Sequence, residues 1–155
     1  MKQDSTRSLD DFKLDDSVPY LMIRVSGLMN RQLELDLRPL KVSFQHWRVL
    51  AVLAQKNGSS ITDLSEYAVM PHSSLSRLLS RMEADGYVRR QTDAQDARTV
   101  RVYTTTLGED MYRRILPMAV AVRVSAMAGM STAQKTGLLG SLNHMLGRMQ
   151  APIGS

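Results

Sequence analysis

Apolar residues recur every three or four positions through the first half of the chain, which is the spacing of an amphipathic helix. This pattern predicts four helices, over residues 18 to about 37, 43 to about 57, 62 to about 69 and 72 to about 86. Pro39 lies where the first helix should end, and Ser43 is a suitable N-cap for the second. Gly58 and Gly86 lie where the second and fourth helices should end.

After residue 86 the helical period gives way to β-branched and aromatic residues that partly alternate with polar ones. Tyr87 and Val88, together with residues 99–105, predict the two strands of a hairpin joined by a polar loop. A Thr-x-x-Glu capping box at residues 106–109 predicts the start of a long helix to about residue 128. Residues 131–134 predict the start of a last helix to about residue 149. The order of elements indicates a mainly α (α+β) protein with a winged helix-turn-helix.

The terminal helices carry apolar stripes that one copy of the chain has few other residues to cover. The stripes include Leu21, Val25, Leu28, Leu116, Val120, Leu138, Leu142 and Met145. We therefore expect one domain over residues 1–155, with dimerisation helices at about 17–40 and 106–150 and a winged helix-turn-helix at about 43–105. The architecture does not decide the function, because winged helices bind proteins as well as DNA.

Composition narrows the class of protein. The 155 residues include no cysteine, which excludes disulfides and thiolate metal ligands, and the polar N-terminal segment matches neither a signal peptide nor a membrane span. We therefore expect a soluble cytoplasmic protein with no membrane partner. The formal net charge is +5, from 20 basic and 15 acidic side chains, and the whole excess lies after residue 69. Such an excess permits an anionic partner.

The fourth predicted helix combines a leucine-rich face with faces made of serine and arginine. The polar positions are His72, Ser73, Ser74, Ser76, Arg77, Ser80 and Arg81. A helix face that is only solvated usually mixes Glu with Lys, whereas this helix has no acid before Glu83. Small hydroxyl side chains let a helix approach a phosphate backbone closely, and arginine reaches guanine edges in the major groove. The segment therefore favours a DNA-recognition helix over a bland polar face.

The predicted hairpin loop places aspartates among arginines. Arg98 in the protruding loop could enter a minor groove, and Asp96 could accept hydrogen bonds from its guanidinium and hold it extended. For Asp93 the simpler interpretation is favoured, namely that its side chain forms a turn.

These motifs together resemble the MarR (multiple antibiotic resistance regulator) family of dimeric bacterial transcription factors. The resemblance covers residues 43–109, and its most specific parts are "MEADGYVRR" at the helix-to-hairpin junction and "DAR" at residues 96–98. It implies that Ser73, Ser74, Ser76 and Arg77 read the major groove, while Arg98, supported by Asp96, reads the minor groove. It also implies that Arg81 and Arg90 contact phosphates.

The resemblance further implies a homodimer that represses transcription from a palindromic operator in double-stranded DNA. Proteins of this family are released by a small ligand, often aromatic or anionic, that binds between the dimerisation and DNA-binding regions. The second helix would line that pocket, which makes His46 and Trp47 candidate ligand contacts, although a histidine beside a core tryptophan more often has a packing role.

Two other classes of function compete with this interpretation. An enzyme is disfavoured because His46, His72 and His144 lie in different elements and no nucleophile or phosphate-loop motif occurs. For the same reasons we expect no cofactor and no metal site. A winged-helix module that binds a protein remains the alternative, and it predicts an apolar patch on the fourth helix or the hairpin.

Overall fold

The computed structural model describes residues 13–150. Six helices and three strands follow one another, with short 3-10 turns at Leu14–Asp16 and Arg38–Leu40. They are α1 (Val18–Leu37), α2 (Phe44–Gln55), β1 (Ser59–Ser60), α3 (Ile61–Tyr67), α4 (His72–Ala84), β2 (Val88–Thr92), β3 (Val100–Thr104), α5 (Thr106–Ala126) and α6 (Thr132–Gln150). The predicted winged helix-turn-helix with long terminal helices is confirmed.

The three strands form one antiparallel sheet in the order β1-β3-β2. The hairpin register pairs Val88 with Thr104 and Thr92 with Val100, and β1 pairs Ser59 with Val102 on the other side of β3. The sequence pattern gave no sign of β1, because two serines carry no periodicity and this strand exists only through its partner. The sheet fixes the base of the hairpin against the helices.

The chain divides into two compact units, one up to Val122 and one from Arg123 onward. The first unit contains the hydrophobic core, where α2, α3, α4 and the sheet meet. Its fully buried side chains include Leu37, Val49, Leu53, Leu64, Leu75, Leu79, Met82, Val102 and Ile115. This core sets the orientation of α4, since all four of the apolar residues on its inner face contribute to it. In the second unit, no side chain of α6 is buried.

The start of α5 corrects one detail of the predicted capping. Thr105, not Thr106, caps the helix: its Oγ1 accepts a hydrogen bond from the Gly108 amide at 3.1 Å and donates to the Gly86 carbonyl at 2.6 Å. The carbonyl of Tyr87 lies so close to Gly108 that any Cβ there would overlap it. These contacts hold the turn after α4 against the start of α5. The Thr-x-x-Glu pattern alone could not reveal this tertiary contact. The cap predicted for α6 is confirmed, because Ser131 and Gln134 exchange hydrogen bonds of 2.8 and 3.3 Å.

Candidate nucleic-acid interface

Helix α4 is fixed by its apolar face and presents its polar faces to solvent. Leu75, Leu78, Leu79 and Met82 are at most 1% exposed. Ser73, Ser74, Ser76, Arg77 and Arg81 are all exposed, as predicted for a recognition helix. The first acid on the helix, Glu83, lies near its C-terminal end. The N-terminal three turns thus carry hydroxyl groups and positive charge on a rigidly held helix.

The glutamate at the end of α4 is paired with an arginine of the hairpin. Arg90 donates from Nε and Nη2 to Glu83 Oε2 at 2.8 and 2.6 Å, and its backbone amide donates to Oε1 at 2.8 Å. These bonds lower the pKa of Glu83, the side-chain bond from Arg90 being the largest cause. The predicted phosphate contact of Arg90 stays a prediction. What the structure gives this residue is a bidentate link between α4 and β2 that neutralises the carboxylate.

Asp93 forms the turn that leads into the hairpin loop, as predicted. Its Oδ1 accepts hydrogen bonds from the amides of Gln95 and Asp96 at 2.7 and 3.3 Å. Its Oδ2 pairs with Nε of Arg101, and Arg101 Nη1 also donates to the Gly58 carbonyl at 3.1 Å. The ion pair lowers the pKa of Asp93. Asp93 and Arg101 thereby tie the base of the loop to the segment that precedes β1.

The role expected of Asp96 needs a correction. Its Oδ1 accepts from the backbone amide of Arg98 at 3.0 Å and its Oδ2 accepts from the Thr99 hydroxyl at 2.9 Å, whereas we expected it to hold the Arg98 guanidinium. The carboxylate is short and reaches the main chain two residues ahead, as in an Asx turn. Asp96 therefore orders the backbone that carries Arg98 and leaves the guanidinium of Arg98 exposed.

The four arginines of residues 89–101 differ in what they contact. Arg89 lies over the ring of Tyr103 at 4.6 Å, and Arg90 and Arg101 are in the two ion pairs. Among the described residues, no side chain accepts a hydrogen bond from the Arg98 guanidinium. Arg98 and His72, which opens α4, line the same cleft of about 520 Å³. The exposed cation of the loop and the start of α4 thus face a common space.

The two candidate ligand contacts on α2 have different surroundings. Trp47 stacks on Tyr112 of α5, with ring centroids 5.5 Å apart, and it lines a cleft of about 310 Å³. His46 does not line that cleft: its Nδ1 accepts from the Ser43 amide at 3.1 Å and completes a capping box at the start of α2. Burial, opposed by Asp85, lowers the pKa of His46. The structure therefore gives His46 a capping role at the start of α2, and its candidate role as a ligand contact stays a prediction.

Sequence reasoning missed the charged residues of the Trp47 cleft. Its lining consists of Trp47, Arg48, Ala51, Val52, Gln55, Lys56 and Tyr67. Lys56 Nζ lies 3.8 Å from the centroid of the Tyr67 ring and donates to its hydroxyl at 2.6 Å. Arg48 and Lys56 are eight residues apart on a predicted helix, which is a little more than two turns, so spacing could have indicated that they lie on neighbouring parts of its surface.

Residues 13–150 contain no cluster of three side chains of His, Asp or Glu that could hold a metal ion. Within the same residues, no helix is both long and apolar enough to cross a membrane.

Comparison with known proteins identifies the family to which this chain belongs. The MarR family model matches residues 40–99. A solved MarR-family transcriptional regulator from Silicibacter pomeroyi is 35% identical, with a TM-score of 0.85 over 96% of this chain and 100% of the other. The chain belongs to the MarR family. It is a DNA-binding transcriptional regulator, as the resemblance in its sequence implied.

Two curated MarR-like relatives are named for repression. The HTH-type transcriptional repressor IacR of Pseudomonas putida is 28% identical over 137 residues, which are 88% of this chain and 80% of that one. The homoprotocatechuate degradative operon repressor of Escherichia coli is 34% identical over 70 residues, covering 45% of this chain and 47% of the relative. The proteins that this MarR-family chain resembles are thus named as regulators of transcription.

Proposed function

We propose that this MarR-family protein is a homodimeric repressor that binds a palindromic operator in double-stranded DNA and is released by a small aromatic or anionic ligand. In this proposal α4 enters the major groove and the β2–β3 hairpin enters the minor groove. The observation that carries it is the exposure of the serine and arginine side chains of α4 together with that of Arg98 on an ordered loop. His72, the first residue of α4, lines the same cleft as Arg98.

The proposed DNA contacts follow from exposure and charge. Ser73, Ser74, Ser76 and Arg77 read base edges and sugar-phosphate groups in the major groove, and Arg81 contacts phosphate. Arg98 enters the minor groove, and Asp96 supports it through the backbone. Arg90 contributes by holding the hairpin to α4 through its bond to Glu83. A phosphate that contacts Arg90 would bind the same guanidinium as the Glu83 carboxylate.

The proposed homodimer is supported by the apolar surface of the terminal helices. On α1, Val18, Leu21, Ile23, Val25 and Leu28 are between 42% and 71% exposed. On α6, Leu138, Leu139, Leu146 and Met149 are between 42% and 83% exposed. Apolar surface of this extent on helices at both ends of a chain marks an interface, and a second copy would repeat the recognition helix for the second half-site.

The ligand part of the proposal is supported by the cleft beside α2. Trp47 and Tyr67 offer aromatic faces, and Arg48 and Lys56 offer positive charge in the same 310 Å³. An aromatic carboxylate matches both features through stacking and charge-assisted hydrogen bonds. The relative from Escherichia coli is named for an operon that degrades homoprotocatechuate, and an aromatic acid as effector of this chain would fit that name.

The structure offers no support for the alternative of a protein-binding winged helix. None of the exposed large apolar side chains belongs to α4 or to the two hairpin strands. A module that docks a protein through these elements would need such a patch.

The decisive experiment combines operator capture with measurements of mass and affinity. Genomic DNA fragments retained by the protein are sequenced, and binding to the enriched site is measured by electrophoretic shift at two salt concentrations. A dimer with about eight phosphate contacts loses several orders of magnitude of affinity on about a fourfold increase in salt. Light scattering at micromolar concentration should give the mass of two chains. A monomer, or no shift on any fragment at low salt, refutes the proposal.

Matched charge variants locate the interface. Arg77→Gln removes one positive charge from α4, and Lys41→Gln removes one from an exposed position between α1 and α2. We expect Arg77→Gln to relax sequence preference at one base pair of each half-site, and Lys41→Gln to leave the preference unchanged.

A further inference from the structure

The turn that leads into the recognition helix contains a strained residue. Val69 has a φ of +48°, and among residues 13–150 only Lys41 is another non-glycine residue with positive φ. Left-handed backbone is costly for any side chain and most unusual for a β-branched one. Val69 lies between α3 and α4 and is 76% exposed, so packing of its own side chain does not hold it there. Hydrogen bonds from elsewhere must keep the turn in this conformation.

One of those bonds comes from α2. Arg48 Nη2 donates to the Val69 carbonyl at 2.9 Å, across 21 residues of sequence. The guanidinium also lies 5.7 Å from the centroid of the Phe44 ring. The other side of the turn is held from α3, where Ser65 accepts from the Met70 amide at 2.9 Å and donates to the Met70 carbonyl at 2.6 Å. Arg48 is thus the link between α2 and the residue two positions before the N-cap of α4.

The same arginine lines the Trp47 cleft. A guanidinium has a planar fork of donors that matches a carboxylate in two parallel bonds, and such a charge-assisted pair is stronger than a bond to a neutral carbonyl. An anion in the cleft can therefore compete with Val69 for the donors of Arg48. Lys56, which also lines the cleft, adds a second positive charge that favours the anion.

We propose that Arg48 is a positioning residue that holds the strained Val69 turn, and with it α4, and that an anion bound in the Trp47 cleft releases the turn by taking the Arg48 guanidinium. The inference rests on the proposed DNA binding and ligand release, and it names the residue that couples them. Its tests include a readout that needs no DNA, so that its failure is distinct from failure of the proposed function.

The first test measures operator affinity by fluorescence anisotropy in two variants, Arg48→Gln and Lys56→Gln. Arg48→Gln should weaken binding about tenfold, the value of a lost hydrogen bond to a charged group. Lys56→Gln is the control: it removes one positive charge from the same cleft, together with the bond to the Tyr67 hydroxyl, but leaves the bond from Arg48 to the Val69 carbonyl in place. The salt dependence separates the two mechanisms: loss of a brace leaves the slope unchanged, whereas loss of a phosphate contact lowers it by about one.

A second substitution tests whether Arg48 acts through backbone strain. Val69→Gly removes the penalty for positive φ, so Arg48→Gln should cost much less affinity in that background. Val69→Ala removes most of the side chain but keeps the penalty, and it should give no such rescue. Equal losses from Arg48→Gln in the glycine, alanine and valine backgrounds would show that Arg48 does not act through the turn.

Amide hydrogen exchange, followed by NMR on the free protein, tests the brace directly. The amides of Val69 and Met70 bond to the carbonyls of Glu66 and Ser65 at 3.0 and 2.9 Å. Arg48→Gln should accelerate exchange at these two positions and leave the buried middle of α2 unchanged. Unchanged exchange at Val69 and Met70 overturns the inference, whatever the DNA measurements give.

The competition step is tested with benzoate and its neutral isostere benzamide at millimolar concentration. Benzoate should accelerate exchange at Val69 and Met70 in the wild-type protein and have no further effect in Arg48→Gln, while benzamide should have none in either. Three results overturn this step: equal effects of the two probes, an undiminished benzoate effect in Arg48→Gln, or no benzoate effect on the wild type.

Discussion

Replacement of Asp96 by alanine removes two hydrogen bonds from the hairpin loop, one to the Arg98 amide at 3.0 Å and one to the Thr99 hydroxyl at 2.9 Å. Each bond in an exposed loop contributes about 0.5–1 kcal/mol, the lower part of the usual range, so the ordered loop loses about 1–2 kcal/mol relative to other conformers. That free energy must be supplied again when Arg98 enters the groove, and affinity for the operator should fall by about five- to thirtyfold. Global stability should change little, because the loop is exposed and lies outside the core.

The assay is fluorescence anisotropy on one operator for the wild type, Asp96→Ala and Asp96→Asn. Asparagine removes the negative charge but keeps an oxygen that accepts from the Arg98 amide, so its affinity should lie between those of the other two proteins. If repulsion between the carboxylate and DNA dominated, both variants would bind more tightly than the wild type. Tighter binding by Asp96→Ala would therefore refute the ordering role of Asp96.

Three further predictions concern affinity, packing and pH. Arg98→Ala should weaken operator binding by about 1–3 kcal/mol in anisotropy and leave the melting temperature unchanged. A lowered melting temperature that accompanies the weaker binding would contradict a direct contact, because it would point to a loss of folding. Gly108→Ala should destabilise the protein by at least about 2 kcal/mol in urea unfolding, because its Cβ overlaps the Tyr87 carbonyl, and a smaller loss would mean that α5 can shift. The pKa of His46 is lowered in the folded state, so below about pH 6.5 the unfolded chain binds a proton that the folded chain does not. The contribution of His46 to the free energy of unfolding should therefore be fully present above about pH 6.5 and decrease as the pH falls below it. His46→Gln should flatten the unfolding free energy between about pH 7 and 5, and an unchanged slope would assign the decrease to other groups.

The helices and the hairpin were predictable because burial repeats with the period of each element. The spacing of Leu75, Leu78, Leu79 and Met82 marks the inner face of α4, and each of them is buried in the core. By contrast, β1 has no pattern of its own, since Ser59 and Ser60 pair with residues more than 40 positions away. The cap of α5 was misplaced by one residue for a similar reason: the Thr105 hydroxyl is selected by the Gly86 carbonyl, a tertiary contact.

The candidate site was predictable as a set of residues but not as a set of bonds. The exposed serines and arginines of α4 follow from helical spacing alone. Partner choice among the charged residues depends on the register of the hairpin, which pairs Gln91 with Arg101 and so brings Asp93 beside that arginine. A sequence pattern does not fix that register, and the link of Arg48 to Val69 likewise needs the packing of α2 against the turn.

The bonds explain why aspartates lie among the arginines of a loop that we propose binds DNA. Glu83 and Asp93 are each paired with an arginine of the hairpin, so their charges are neutralised locally and they fix β2, β3 and the loop. Asp96 keeps its charge, but at physiological salt a surface charge is screened beyond about 8 Å, whereas its hydrogen bonds to the main chain act at contact. In the proposed binding mode, ordering the loop before it meets DNA removes an entropic cost from binding, and for a single exposed cation such as Arg98 we expect this gain to exceed the screened repulsion of one carboxylate. On this proposal the acids strengthen DNA binding by the hairpin because of where they bond, although they lower its net charge.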